Sequence, residues 1–172
     1  VSGVRSNAVV RIAAVRKLDG GDGIGGMVED CVRRIGRAED SFADARWHEA
    51  EQGYEDVIKT CEKTEAMAKL RDAARVVRSE MSSARDEARR AGAETCAKNI
   101  FALAGEFKAK GDESWRKMKF AESEKPYREA SKRFGLAKQK AEAAAERRAN
   151  GTSDTAEVGT LQKELSRIAK RE

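Results

Sequence analysis

The sequence contains very little proline, histidine and aromatic side chain. Its 172 residues include one proline, Pro126, and one histidine, His48, and aromatic residues make up 5%. A single histidine excludes sites built on several imidazoles, and no serine or cysteine lies beside His48 for it to activate as a general base. Acidic pairs such as Asp40 and Asp44 lack the Glu-x-x-His pattern of metal sites in helix bundles. We therefore predict no catalytic residues, no cofactor and no metal, and a protein that is not an enzyme.

Cysteines are few, and long apolar runs are absent. Cys31, Cys61 and Cys96 lie 30 and 35 residues apart and form no CxxC pair, which excludes a zinc site built on that motif. An odd, scattered set is typical of reduced thiols, so we predict a cytoplasmic location. Arg11 interrupts the apolar run near the N-terminus well short of the length of a membrane span. The chain begins without methionine, and we expect it to be a segment of a larger polypeptide.

Glycine is concentrated in the stretch "DGGDGIGG", residues 19–26. Gly21, Gly23 and Gly26 formally match GxGxxG, but no strand precedes them and no βαβ unit surrounds them, so a dinucleotide site is not indicated. We interpret residues 20–26 as a flexible linker. It follows an N-terminal amphipathic helix within residues 1–19, whose apolar stripe comprises Val9, Ile12, Ala13, Val15 and Leu18.

Alanine and charged residues dominate the remaining sequence. Charged residues make up 38%, and apolar residues recur every three or four positions, which is typical of long helices. We predict an all-α fold with a helical repeat or hairpin domain over residues 27–149 and a C-terminal capping helix over 150–172. Gly151 is the predicted helix stop between them. The last helix carries an apolar seam that we expect to dock on this chain or on another one, formed by Val158, Leu161, Leu165 and Ile168.

Residues 48–118 contain no proline, and two structures fit their pattern. One is a single helix of about 65 residues within this range, which would need a partner along its length. The other is a hairpin that reverses near Ser83, which could cap a new helix with Asp86 at its third position. We favour the hairpin because both apolar stripes are then buried within one chain. The first stripe is predicted to continue from Cys61 through Met67, Leu70, Ala73 and Val77.

Two segments 73 residues apart share a pattern of side-chain sizes. Trp47, Ala50, Tyr54 and Val57 match Phe120, Ser123, Tyr127 and Ala130 in order, and a third copy with small residues can be placed at Met81, Ala84, Ala88 and Ala91. The pattern resembles the second helix of tetratricopeptide repeats, over roughly residues 31–140. The resemblance implies an array of antiparallel helical hairpins whose concave face binds a peptide or a partner domain.

The only proline lies in the second of these segments. A proline within a helix removes a hydrogen bond, but the first turn tolerates it. We therefore predict a helix that begins with Ser123 as its N-cap, so that Pro126 falls in the first turn.

The net charge of +5 arises mostly from one part of the chain. Lys125, Arg128, Lys132 and Arg133 recur at helical spacing and form a basic strip. We interpret this strip first as a solvated face, with an acidic partner or nucleic acid as the alternatives.

These patterns favour a non-catalytic scaffold or adaptor that binds another protein or a peptide. One alternative is a self-assembling coiled-coil structural protein, that is, a homo-oligomer. A second alternative is a basic helical protein associated with nucleic acid. The even distribution of charge outside the basic strip argues against it. No membrane span is predicted. The candidate partner-binding residues are Lys125, Arg128, Lys132, Arg133, Trp47 and Tyr54.

Overall fold

The computed structural model describes residues 1–168, with side chains described as far as residue 151, and it is all-α. This part of the chain contains no strand, which confirms the predicted fold class. The helices are α1 (Ser2–Val15), α2 (Ile24–Ala43), α3 (Trp47–Arg90), the single turn α4 (Ala93–Cys96), α5 (Lys98–Arg116) and α6 (Phe120–Ile168).

Helix α3 is continuous where a reversal was predicted. It has 44 residues, so it is about 66 Å long at 1.5 Å per residue. The predicted hairpin near Ser83 is therefore wrong, and so is a single helix over 48–118. The helix ends instead just before Gly92, whose φ of 77° is a left-handed conformation that glycine adopts without steric cost. The third copy placed at residues 81–91 consequently has no turn of its own.

Helix α6 begins earlier and ends later than the sequence suggested. It starts at Phe120 and contains Pro126 in its interior. Ser123 is not its N-cap: the side chain is buried, and its hydroxyl donates to the Phe120 carbonyl at 2.6 Å. The predicted stop at Gly151 is also wrong, because the helix runs through to Ile168. The side chains of the predicted C-terminal seam, Val158 to Ile168, lie outside the described residues.

The chain forms two compact units, each assembled from separate stretches of sequence. Unit 1 comprises Val1–Arg78 with Lys110–Pro126, and unit 2 comprises Ser79–Ala109 with the chain from Tyr127 onward. In unit 1 the face of α1 that enters the core differs from the predicted stripe, since Val9 and Ala13 are exposed. The core cluster there contains Ala8, Ile12, Val15, Cys31, Ala38, Ala50, Tyr54, Val57 and Cys61.

The buried face of α3 also differs from the predicted stripe after Cys61. Met67, Leu70 and Ala73 are partly or fully exposed, whereas the buried positions are Thr64, Ala68, Arg71 and Ala74. A stripe predicted from apolar residues alone misses the buried face here, because that face carries two polar side chains. One of them, Arg71, is only 1% exposed.

Arg71 anchors the glycine-rich segment. Its guanidinium donates to the carbonyls of Asp19 at 2.5 Å and Gly21 at 3.0 Å. A backbone bond from Gly25 to the Gly20 carbonyl, 2.9 Å long, closes the turn, and α2 begins as early as Ile24. The segment predicted as a flexible linker is thus a tight turn that is held within unit 1.

Candidate interaction surface

The turns that join α2 to α3 and α5 to α6 have the same backbone geometry. Ala45 has a φ of 58° and Met118 a φ of 57°. The residue after each donates its N–H back across the turn, Arg46 to the Ser41 carbonyl at 2.9 Å and Lys119 to the Ser114 carbonyl at 3.0 Å. These are Schellman turns, in which a left-handed residue lets the chain satisfy the last carbonyls of a helix. Every pair of equivalent residues is 73 positions apart.

Aromatic contacts repeat with the same offset. Phe42 and Trp47 meet edge to face, with ring centroids 5.0 Å apart and planes at 77°. Trp115 and Phe120 meet with centroids 5.0 Å apart and planes at 74°. A cation covers the first ring of each pair: Arg5 lies 4.6 Å from the centroid of Phe42, and Arg78 lies 4.8 Å from that of Trp115. Arg5 and Arg78 are also 73 positions apart, so the recurrence extends from α1 to the C-terminal part of α3.

The recurrence accounts for the position of Pro126. In the first copy α2 and α3 approach closely where Ala38 faces Gly53, since a Cβ added to Gly53 would lie 2.9 Å from the Ala38 Cβ. The residues 73 positions later are Gly111, which is buried, and Pro126. In the first copy the glycine of this pair lies on the second helix, α3, whereas in the second copy it lies on the first, α5. A proline is therefore accommodated where the first copy has no side chain at all, at a position equivalent to a helix crossing.

Two of the predicted partner-binding residues, Trp47 and Tyr54, have opposite environments. Trp47 is 53% exposed at the start of α3, although its equivalent, Phe120, is buried. Tyr54 is completely buried, which places its ring in the core of unit 1 rather than on a surface.

The predicted basic strip is partly neutralised by Glu129. Its carboxylate pairs with Arg133 at 2.5 Å and with Lys132 at 3.4 Å, and the hydrogen bond from Arg133 is the main reason why the pKa of Glu129 is lowered. Arg133 also lies 4.2 Å from the centroid of the Phe107 ring. Lys125 and Arg128 are exposed. The four residues therefore do not present a uniform positive charge.

A groove runs between α1 and α3 in unit 1, and we call it the first groove. Its volume is about 400 Å³. Arg11 spans it and pairs with Glu62 and Glu65 of α3, each at 3.2 Å. Val10 on its wall is 67% exposed. The first groove is lined by Val10, Arg11, Ala14, Leu18, Glu65, Ala68, Lys69 and Asp72.

An equivalent groove lies in unit 2 between the C-terminal part of α3 and α6, and we call it the second groove. It is lined by Glu87, Arg90, Ala91, Lys138, Glu142 and Ala145. Five of its residues stand 73 positions after residues of the first groove: Glu87 after Ala14, Ala91 after Leu18, Lys138 after Glu65, Glu142 after Lys69 and Ala145 after Asp72. An ion pair crosses this groove too, from Lys138 to Glu87 at 3.1 Å, with the charges exchanged between the helices. The position of the groove recurs, but the charges of the side chains that line it do not.

Outside the two grooves, the described residues offer few groups for catalysis or metal binding. His48 is exposed, and its Nε2 lies 3.1 Å from the side-chain nitrogen of Gln52. Among the described residues, no group of three or more histidine, cysteine, aspartate or glutamate side chains is placed to hold a metal ion. None of the helices described combines the length and the apolar character needed to cross a bilayer.

Comparison with known proteins gives no relative for this chain. No family model, no curated protein and no solved structure matches it. The resemblance to tetratricopeptide repeats therefore stays a prediction that rests on the residues themselves.

Sequence reasoning missed the two grooves and Arg71. The grooves had a usable signal, since Glu65 and Lys69 have charged equivalents, Lys138 and Glu142, at the same offset of 73 that relates the turns. Arg71 had a weaker one: it continues the steps of three and four residues that lead through Cys61, Thr64 and Ala68.

Proposed function

We propose that this chain is a non-catalytic scaffold that binds another protein through the first groove. The observation that carries the proposal is the recurrence of a groove at the same place in two successive copies of one helical motif. Repeat proteins characteristically present equivalent surfaces from successive repeats and vary the side chains on them to bind partners. A cytoplasmic location and membership of a larger polypeptide belong to the same proposal.

The first groove suits one amphipathic helix of a partner. On the α3 side, the groove runs from Glu65 to Asp72, about 10 Å of helix, which matches two turns and hence apolar anchors at positions i, i+3 or i+4, and i+7 of a partner. Val10, Ala14 and Leu18 supply the apolar wall. The rim carries charges of both signs, Arg11 with Glu65 and Lys69 with Asp72, so that it selects a partner with charges in the opposite order.

A matched pair of valines tests the groove. Val10 lines it and is 67% exposed, whereas Val76 lies outside it and is 59% exposed. We expect Val10→Asp to abolish capture of a partner by the immobilised chain, and Val76→Asp to leave it unchanged. The folded content of both variants is checked by circular dichroism. Equal capture by both variants, or equal loss, would contradict the proposal.

The length of α3 and α6 supports self-assembly as a second candidate function. Helices of 44 and 49 residues are typical of chains that associate side by side. Light scattering of the isolated chain distinguishes the two functions. A monomer at micromolar concentration would contradict self-assembly. A dimer that dissociates in the Val10→Asp variant would show that the first groove is the dimer interface.

Association with nucleic acid has weaker support, because Glu129 pairs with two of the four residues of the predicted strip and lowers its positive charge. We expect no salt-dependent binding of a generic duplex, measured by fluorescence anisotropy at low salt.

A further inference from the structure

Two neighbouring thiols lie in the core of unit 1, one on α2 and one on α3. Cys31 of α2 and Cys61 of α3 are both completely buried in the same core cluster. In this antiparallel pair of helices, Ala38 packs against Gly53. Counting seven residues back along α2 and eight forward along α3 from that contact leads to Cys31 and Cys61, two turns away and at the same level.

Contacts around Cys31 agree with this register. Its Sγ lies 3.5 Å from the Thr64 hydroxyl, and Thr64 is one turn beyond Cys61 on α3. Burial raises the pKa of the Cys61 thiol to about 12, and the adjoining Cys31 thiol acts in the same direction. Helices that meet through alanine and glycine approach near the lower end of the usual 8–10 Å, which keeps facing Cα atoms within the range that a disulfide needs. The equivalents in the second copy are Ala104 and Phe134, so the pair is particular to unit 1.

We propose that Cys31 and Cys61 form a reversible disulfide that links α2 to α3 when the protein meets a low-molecular-weight disulfide such as oxidised glutathione. One cysteine sulfur displaces a glutathione thiol and forms a mixed disulfide. The other cysteine then attacks that cysteine sulfur and displaces the second glutathione thiol. The two protein thiols are thereby oxidised to one disulfide, the external disulfide is reduced to two thiols, and both protons pass to the departing thiolates.

Burial sets the kinetics of this reaction. Because the thiolate is the attacking species and both sulfurs are covered in the folded protein, reaction requires local opening of the α2–α3 contact. We expect oxidation over hours rather than minutes. The bond closes a loop of 31 residues, and its formation should raise the Tm by about 10 °C.

The test uses the full chain with its three cysteines, incubated under native conditions with oxidised glutathione and analysed by peptide mass spectrometry without reduction. The expected product is a monomer lighter by two hydrogens, with the peptides that carry Cys31 and Cys61 joined, and dithiothreitol should reverse it. The same chain in guanidinium chloride is the control, since there Cys96 competes and a mixture of pairings forms. Free Cys31 and Cys61 after prolonged native incubation, a stable glutathione adduct on either one, or the mixture seen in denaturant would each overturn the proposal.

Discussion

Arg71 gives the sharpest test of how unit 1 is held together. We expect Arg71→Met to lower the free energy of unfolding by about 3 kcal/mol. The substitution keeps the apolar stem of the side chain but removes the bonds to the Asp19 and Gly21 carbonyls, together with the ion pair to the exposed Asp72. Each hydrogen bond from a charged donor is worth about 1.5–3 kcal/mol, and the retained apolar packing of methionine offsets part of the loss of two.

Arg75 provides the matched control. It lies one turn from Arg71 and binds the same turn, with ion pairs to Asp19 at 3.0 Å and Asp22 at 3.1 Å, but it is 47% exposed. Ion pairs at such positions contribute about 0–1 kcal/mol, so Arg75→Met should change stability by less than 1 kcal/mol.

Urea unfolding followed by circular dichroism measures both variants, and an unchanged m-value would show that the extent of unfolding is preserved. The reasoning fails if Arg71→Met stays within about 0.5 kcal/mol of the parent chain, or if Arg75→Met costs as much as Arg71→Met. Either result would mean that burial of the guanidinium does not decide the strength of its bonds to the turn.

Three further predictions concern the helix contacts and the acidic turn. Gly53→Ala should destabilise the chain by about 1–2 kcal/mol in thermal melts, because its Cβ would meet the Ala38 Cβ at 2.9 Å. The control, Gly36→Ala, has open space around it and should stabilise the chain by about 0.5–1 kcal/mol. A gain in stability in both variants would show that the α2–α3 contact adjusts without cost. Pro126→Ala should raise stability by about 1–3 kcal/mol because a backbone donor returns to the interior of α6, and a loss would show instead that the ring packs at the crossing. The pKa of Asp19 is lowered, first by the Gly21 N–H and then by Arg75, while that of Asp22 is lowered because bonds from Arg75 and Trp115 outweigh its burial. Depressed folded-state pKa values contribute stability above the unfolded value near 4 and lose it as the pH falls further, so stability measured from pH 5 to pH 2 should fall less steeply in Asp22→Asn than in the parent chain.

The helical content was within reach of the sequence. The spacing that pairs Trp47 with Phe120 and Tyr54 with Tyr127 predicted a shared packing pattern, because side-chain size at a helix crossing limits how close two backbones come. The equivalence of the two turns was not predicted, since Ser123 was expected to begin the second helix. The continuous helix α3 was not predicted, because Ser83 was interpreted as the N-cap of a new helix, and a serine acts as an N-cap only where a helix begins. Nothing local to that serine distinguishes an interior position from a terminal one.

Burial of polar side chains explains the remaining differences. The predicted stripe on α3 omitted Thr64 and Arg71 because they are polar, although both lie on the buried face. Their hydrogen-bond partners offset the cost of burying them. The carbonyls that Arg71 binds lie in a glycine-rich turn about 50 residues away, so no local pattern indicates them. Tyr54, which was named as a candidate partner-binding residue, is buried in the core.

The division of the chain into units has a consequence for anyone who wishes to dissect it. The segment that recurs in sequence is contiguous and 73 residues long, whereas unit 1 also requires Lys110–Pro126, and the boundary between the units falls inside α3, α5 and α6 rather than in any loop. A cut in the loop after α3 or in the loop after α5 therefore divides both units, and a cut at the unit boundary divides a helix. The portion of sequence that repeats is therefore not the same as either unit, and the shortest contiguous stretch that contains all of unit 1 is residues 1–126.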